Sequence, residues 1–127
     1  MTENEIATAV VDAAFKIHKT LGPGLFESVY EAALEFELRK RGLRVAQQIG
    51  LPVCYEEVRL ELGFRIDLIV DEQVIVEIKS VEVLAPVHKK QLLTYLRLTN
   101  LRLGLLINFN VELIRDGIQR VINGLLV

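Results

Sequence analysis

Cysteine is almost missing from this chain: Cys54 is the only one in 127 residues. An internal disulfide, a cysteine-rich zinc site and a four-cysteine iron–sulfur cluster are therefore excluded, and the single thiol is expected inside the core. Excess basic charge is missing too. Fifteen Lys and Arg stand against seventeen Asp and Glu, a formal net charge of −2, so nucleic-acid binding would have to come from a local basic patch or a bound metal. No apolar run approaches the ~20 residues of a membrane span. The opening MTENEIATAV lacks the basic start and long apolar stretch of a signal peptide. A cytoplasmic protein with no membrane partner is the expectation. Repeats, low-complexity tracts and linkers are also absent, which leaves one domain over residues 1–127.

What is present is ordinary for a folded domain. Residues are 51% hydrophobic and 25% charged, enough to build a core rather than a disordered chain. Thr2-Glu-Asn-Glu5 has the pattern of a capping box, and Ile6, Val10, Ala13, Ile17 and Leu21 follow at helical spacing. A first helix is expected to about Thr20, ended by Gly22-Pro23-Gly24. A second starts near Leu25, with Phe26, Val29, Ala33 and Phe36 among its apolar positions, and stops at Lys40-Arg41-Gly42.

Residues 43–62 read as one or two strands with a turn near Glu56-Glu57, and Val45, Ile49, Val53, Tyr55, Val58 and Leu60 are expected to face inward. Pro86 suits the first turn of a third helix to Thr99. LRLGLLINF, after Asn100, is short enough for a buried strand. Asp116-Gly117 predicts a type I′ turn in a closing hairpin. The long helix between strands implies a crossover, and hence a mixed central sheet flanked by helices in an α/β domain.

The stretch of chemical interest is Phe64–Ser80. Apolar residues alternate on both sides of Asp71-Glu72-Gln73, which reads as a hairpin with a three-residue turn. Val70 then faces Val74, Leu68 faces Val76 and Ile66 faces Ile78, while the other face sets Asp67 against Glu77 and Arg65 against Lys79. Directly opposed side chains lie about 4.5–5.5 Å apart at Cβ, and like charges there repel. Two readings accommodate the carboxylate pair. Either it holds a divalent cation such as Mg²⁺ or Mn²⁺, with Lys79 beside it to serve a water or a developing charge, or the face is solvated and neutralised diagonally, Asp67 by Lys79 and Glu77 by Arg65.

Phe64-Arg-Ile-Asp67 followed on the next strand by Glu77-Ile-Lys79 resembles the PD-(D/E)XK nuclease core, and the order of elements is similar to that restriction-endonuclease-like fold. Gly24-Leu-Phe-Glu27-Ser-Val-Tyr30 resembles the motif of the small GxxExxY proteins, usually placed in the same superfamily; His18–Tyr30, Asp67–Lys79, Gln91–Tyr95 and Leu106–Phe109 carry that likeness. Gln91-Leu-Leu-Thr-Tyr95 is similar to the QxxxY signature of RecB-type exonucleases.

The resemblance implies a Mg²⁺-dependent nuclease acting on nucleic acid, DNA ahead of RNA. It implies that Asp67 and Glu77 ligate the metal with the Ile78 carbonyl, that Lys79 serves the attacking water, and that Glu27 completes the site. His18 is a rival for that last place. Gln91 and Tyr95, four apart on one helix face, would orient the site or a phosphate. Lys89, Lys90, Arg97 and Arg102 are candidates for holding a nucleic-acid backbone. Two alternatives stand beside this reading: a non-catalytic interaction module that keeps the scaffold, and a homo-oligomer formed through the apolar end Gly124–Val127.

Overall fold

A computed structural model describes residues 1–125; the side chain of Leu62 is outside the description. In chain order the elements are α1 (Glu3–Leu21), α2 (Glu27–Lys40), β1 (Val45–Tyr55), β2 (Val58–Val70), β3 (Val74–Lys79), α3 (Pro86–Thr99), β4 (Leu103–Asn108), a 3₁₀ turn (Ile114–Gly117) and β5 (Ile118–Ile122). The five strands form one sheet in sequence order. β3 and β4 are parallel, joined by the α3 crossover, and every other pair is antiparallel.

Alternation on the central strands divides the core. Leu68, Val70, Val74, Val76, Ile78, Leu105 and Ile107 meet α1 and α2, while Ile75, Leu106 and Val121 meet Leu92, Tyr95 and Leu96 of α3. The molecule is thus a mixed α/β sandwich with two helices on one face and one on the other. Among the described residues no helix is long and apolar enough to cross a membrane.

Local signals set the helix ends. Thr2 and Glu5 close the expected capping box at 3.2 and 3.0 Å. Gly22, at φ 70°, ends α1 by returning its N–H to the His18 carbonyl at 2.8 Å. Pro86 opens α3, and Asn100 closes it in the left-handed region.

The α2 face differs from the expected one. Tyr30, Leu34 and Leu38 are buried, whereas Phe26 and Phe36 are 83% and 65% exposed and Val29 is exposed too. The helix carries two apolar stripes, and the rings decide between them. Tyr30 stacks on Phe109 with centroids 4.4 Å apart, and its hydroxyl donates to the Gly22 carbonyl at 2.6 Å and accepts from the Leu25 amide at 3.1 Å. One side chain thereby fixes both the rotation of α2 and the loop before it.

The segment between α2 and the central hairpin forms two strands with a turn at Glu56-Glu57, but its far end leaves the core. Tyr55, Val58 and Leu60 are exposed rather than inward, and so is Cys54. β1 and β2 are longer than the six-residue β3 beside them, so their distal halves run past the sheet as a two-stranded ribbon with no helix over it.

The closing connection is also different. Ile114–Gly117 is a 3₁₀ turn after a loop, not a two-residue type I′ turn. Gly117 is needed for closeness rather than for positive φ, because a Cβ there would collide with the Asn108 carbonyl. The apolar end expected to pair with another chain lies partly outside the described residues, at 126–127; Leu125 within them is 86% exposed.

Candidate functional site

The hairpin forms in the predicted register: Val70 pairs with Val74 and Leu68 with Val76, across a turn in which Asp71 and Glu72 take φ of 50° and 58°. Asp71 can hold that conformation because its carboxylate accepts from the Arg44 amide at 2.9 Å while its own amide donates to the Arg44 carbonyl at 2.8 Å.

Beyond Leu68 the ladder stops. Ile66, expected opposite Ile78, joins Ile75, Leu92 and Leu96 on the α3 side instead. Along β2, Ile66 and Leu68 thus pack on opposite sides of the sheet, although two residues apart they would ordinarily share one. Gln48, across from this point on β1, has φ 50° and is absent from the regular pairing that resumes with Ile49 and Ile66. The pleat is interrupted where Asp67 sits.

The parted strands are bridged by their carboxylates. Asp67 Oδ2 accepts from the Ile78 amide at 2.8 Å, and Glu77 Oε1 lies 3.4 Å from the Asp67 amide. Glu77 is buried, at 6% exposure. Burial first, then the charge of and hydrogen bond to Asp67, push its carboxyl up to about 9, against a weaker pull downward from Lys79. Neither diagonal ion pair forms: among the described residues Asp67 and Glu77 take no salt bridge with Lys79 or Arg65. The solvated-face reading therefore fails at Glu77, which is inside.

Tyr95 and Lys79 lie close enough for the charge of the pair to act between them. Tyr95 is buried on α3, 5.4 Å ring to ring from Phe64. Burial and the nearby Glu77 and Asp67 push its phenol up to about 12, so it stays protonated and able to donate. Gln91 is half-buried one turn earlier on the same helix. Lys79 follows Glu77 on the same strand face and is half-buried.

A further neighbour of Asp67 is an acid that the motif did not single out. Glu31 on α2 is half-buried, its Oε1 2.6 Å from Gln48 Nε2, and burial followed by the charge of Asp67 raises its carboxyl. Glu27, one turn earlier, is exposed; its field reaches Glu31. Four residues apart on a helix, both acids stand near the same line, which is the signal that would have found Glu31. Gln48 had no such signal, since a left-handed backbone at glutamine follows from tertiary context alone.

The end of β3 is held from both sides. Ser80 Oγ donates to the Leu25 carbonyl at 2.6 Å, tying β3 to the loop that Tyr30 clamps. Buried Asn108 accepts from the Val81 amide at 3.1 Å and donates to its carbonyl at 2.8 Å. His18 does not join this site. Its Nε2 lies 2.7 Å from the Val111 carbonyl, against the loop before the 3₁₀ turn.

A cation fits the donor chemistry in part. Two carboxylates and a main-chain carbonyl are hard oxygen donors of the kind Mg²⁺ and Mn²⁺ take, with waters in the remaining positions, and a cation between them would offset both the burial and the charge of Asp67 that raise Glu77. Yet among the described residues no three His, Cys, Asp or Glu side chains gather closely enough to hold a metal.

A family model described as the PD-(D/E)XK nuclease superfamily matches residues 4–121. The chain belongs to that superfamily, whose nucleases generally use divalent metals. No curated protein and no solved structure matches it.

Proposed function

We propose that the protein is a divalent-metal-dependent nuclease that hydrolyses phosphodiesters of nucleic acid, DNA ahead of RNA. The observation that carries this reading is the Asp67–Glu77 pair, Asp67 half-buried and Glu77 buried, set where β2 and β3 part and short of the positive charge that two ionised carboxylates need. Asp67, Glu77 and the Ile78 carbonyl would hold Mg²⁺ or Mn²⁺. The chemistry supplied at such a centre is polarisation of the phosphate and activation of a water.

The chain's own residues supply the rest. Lys79, on the face of Glu77 and with no ion-pair partner among the described residues, places an ammonium beside the charge that develops on the phosphate. Tyr95, held protonated, donates a hydrogen bond into the same space, and Gln91 flanks it. Glu31, oriented by Gln48 and within the field of Asp67, would complete the acidic set, with Glu27 one turn earlier on α2. The Gly24–Tyr30 motif supports membership of the GxxExxY group, with Tyr30 as the clamp of the loop. Gln91 and Tyr95 on the helix after β3 support a RecB-like arrangement.

The test is cleavage of labelled single- and double-stranded DNA and RNA in Mg²⁺ and Mn²⁺. Wild type is expected to cut at least one substrate, with Lys79→Ala and Glu77→Ala slower by about a hundredfold or more. No cleavage by wild type, or equal cleavage by all three, overturns the proposal. The absence of a gathered third ligand favours a second reading, a non-catalytic interaction module on the same scaffold, and a wild type inert in every metal would select it.

A further inference from the structure

Away from the carboxylates, β5 is the last strand of the sheet and, among the described residues, pairs with β4 alone. Its outer row of amides and carbonyls opens on a groove of about 670 Å³ between the strand and the first turns of α3. The floor is apolar, with Leu84, Leu93 and Val121. Lys89 and Lys90 stand on the helix side, and no acidic residue lines the groove. Among the described residues Lys89 and Lys90 have no ion-pair partner, while Arg120 bonds the Asn4 side chain on the α1 side.

We infer that this edge binds an extended acidic peptide of a protein partner, which adds to β5 as a sixth strand. Strand addition takes its affinity from main-chain hydrogen bonds at a free edge and its specificity from the side-chain pockets beside it. Here the pockets are apolar, and the charge above them is positive.

Other occupants fit less well. A second copy adding through the same edge in two-fold register would set Arg120 against Arg120, a like-charge contact that destabilises a strand pair, beside doubled Lys89 and Lys90. Single-stranded nucleic acid is bound through aromatic platforms on which bases stack, and no aromatic residue lines the groove. The inference uses none of Asp67, Glu77, Lys79, Glu31, Gln91 and Tyr95, and it assigns to a peptide the two lysines, Lys89 and Lys90, that the sequence offered to a nucleic-acid backbone.

The experiment titrates the full chain with a blocked, fluorescein-labelled peptide of alternating glutamate and valine. A lysine–valine peptide and a twelve-nucleotide single-stranded DNA serve as the competing probes. Saturable binding of the acidic peptide is expected, weakened tenfold or more in Lys89→Glu/Lys90→Glu, a surface pair whose reversal leaves the fold intact by circular dichroism. Backbone amides of 118–122 should exchange more slowly in the complex, a protection that charge attraction away from the edge would not produce. Equal binding by the double variant, no protection of β5, preferential binding of the DNA through the same two lysines, or a concentration-dependent dimer closing this edge would each overturn the inference.

Discussion

Asp67 accepts the amide of Ile78 at 2.8 Å, across the point where the β2–β3 ladder has ended. A side chain here replaces a main-chain rung, which ties the acid to the backbone that leads into Lys79. Asp67→Asn keeps an acceptor for that amide but removes the charge. The variant is expected to fold with stability within about 1 kcal/mol of wild type and to lose cleavage, measured by urea denaturation alongside the nuclease assay. Loss of the fold in Asp67→Asn would show that the charge itself is structural.

Metal binding should be visible without turnover. At a concentration ten times its dissociation constant, a ligand specific for the folded state adds about 1.4 kcal/mol, or roughly 4–7 °C for a domain of this size. Millimolar Mg²⁺ or Mn²⁺ is expected to raise the melting temperature of wild type by that amount and to leave Asp67→Ala unmoved. Equal shifts in both proteins would locate the ion elsewhere.

Glu77 gives the metal-free protein an unusual pH dependence. It keeps its proton to about 9 when folded, against an ordinary value of 4.5. Between those limits the folded state binds more protons than the unfolded one, so stability falls as pH rises, by at most about 1.4 kcal/mol per unit. Denaturation in EDTA at pH 5.5 and 8.5 should show the loss, and Glu77→Gln, always neutral, should flatten it. A profile unchanged by Glu77→Gln would assign the dependence to other groups.

Tyr30→Phe tests the clamp on the loop before α2. It removes both hydroxyl contacts, to the Gly22 carbonyl and from the Leu25 amide, while the ring stack on Phe109 is kept. Stability should drop by about 1–3 kcal/mol. Cleavage should fall further than that drop explains, since Leu25 is the anchor of Ser80. Activity equal to wild type would separate the loop from the site.

Gly117→Ala and Gly50→Ala form a contrast. A Cβ at Gly117 meets the Asn108 carbonyl, whereas one at Gly50 meets nothing within 4 Å. The first should cost about 1–3 kcal/mol and the second less than ~0.5 kcal/mol, measured by chemical denaturation.

The sequence made the hairpin legible because period-two alternation and a polar turn allow only one register that keeps the apolar face whole. Helix ends were legible from Thr2, Gly22 and Pro86, each of which carries its signal in its own backbone or side-chain chemistry. What escaped depends on tertiary partners. α2 has apolar residues on two stripes, and only the stack of Tyr30 on Phe109 selects one. Tyr55, Val58 and Leu60 alternate as a buried strand would, yet no helix reaches them. The spacing of Glu31 from Glu27 put it on the same helix line, but its Gln48 partner and the field of Asp67 are tertiary and no helical motif encodes them.

The parallel pairing of β3 with β4 has a consequence for how the molecule assembles. β2 and β3 are joined by a three-residue turn and can pair locally, whereas β4 reaches β3 only after residues 80–102, with α3 inside them, have closed a long loop. Loop closure of that kind is paid before its contacts return anything, and non-local pairing slows folding. The hairpin that carries the two acids is therefore expected to pair before the crossover docks, so that the burial of Glu77 under α3 comes late in folding.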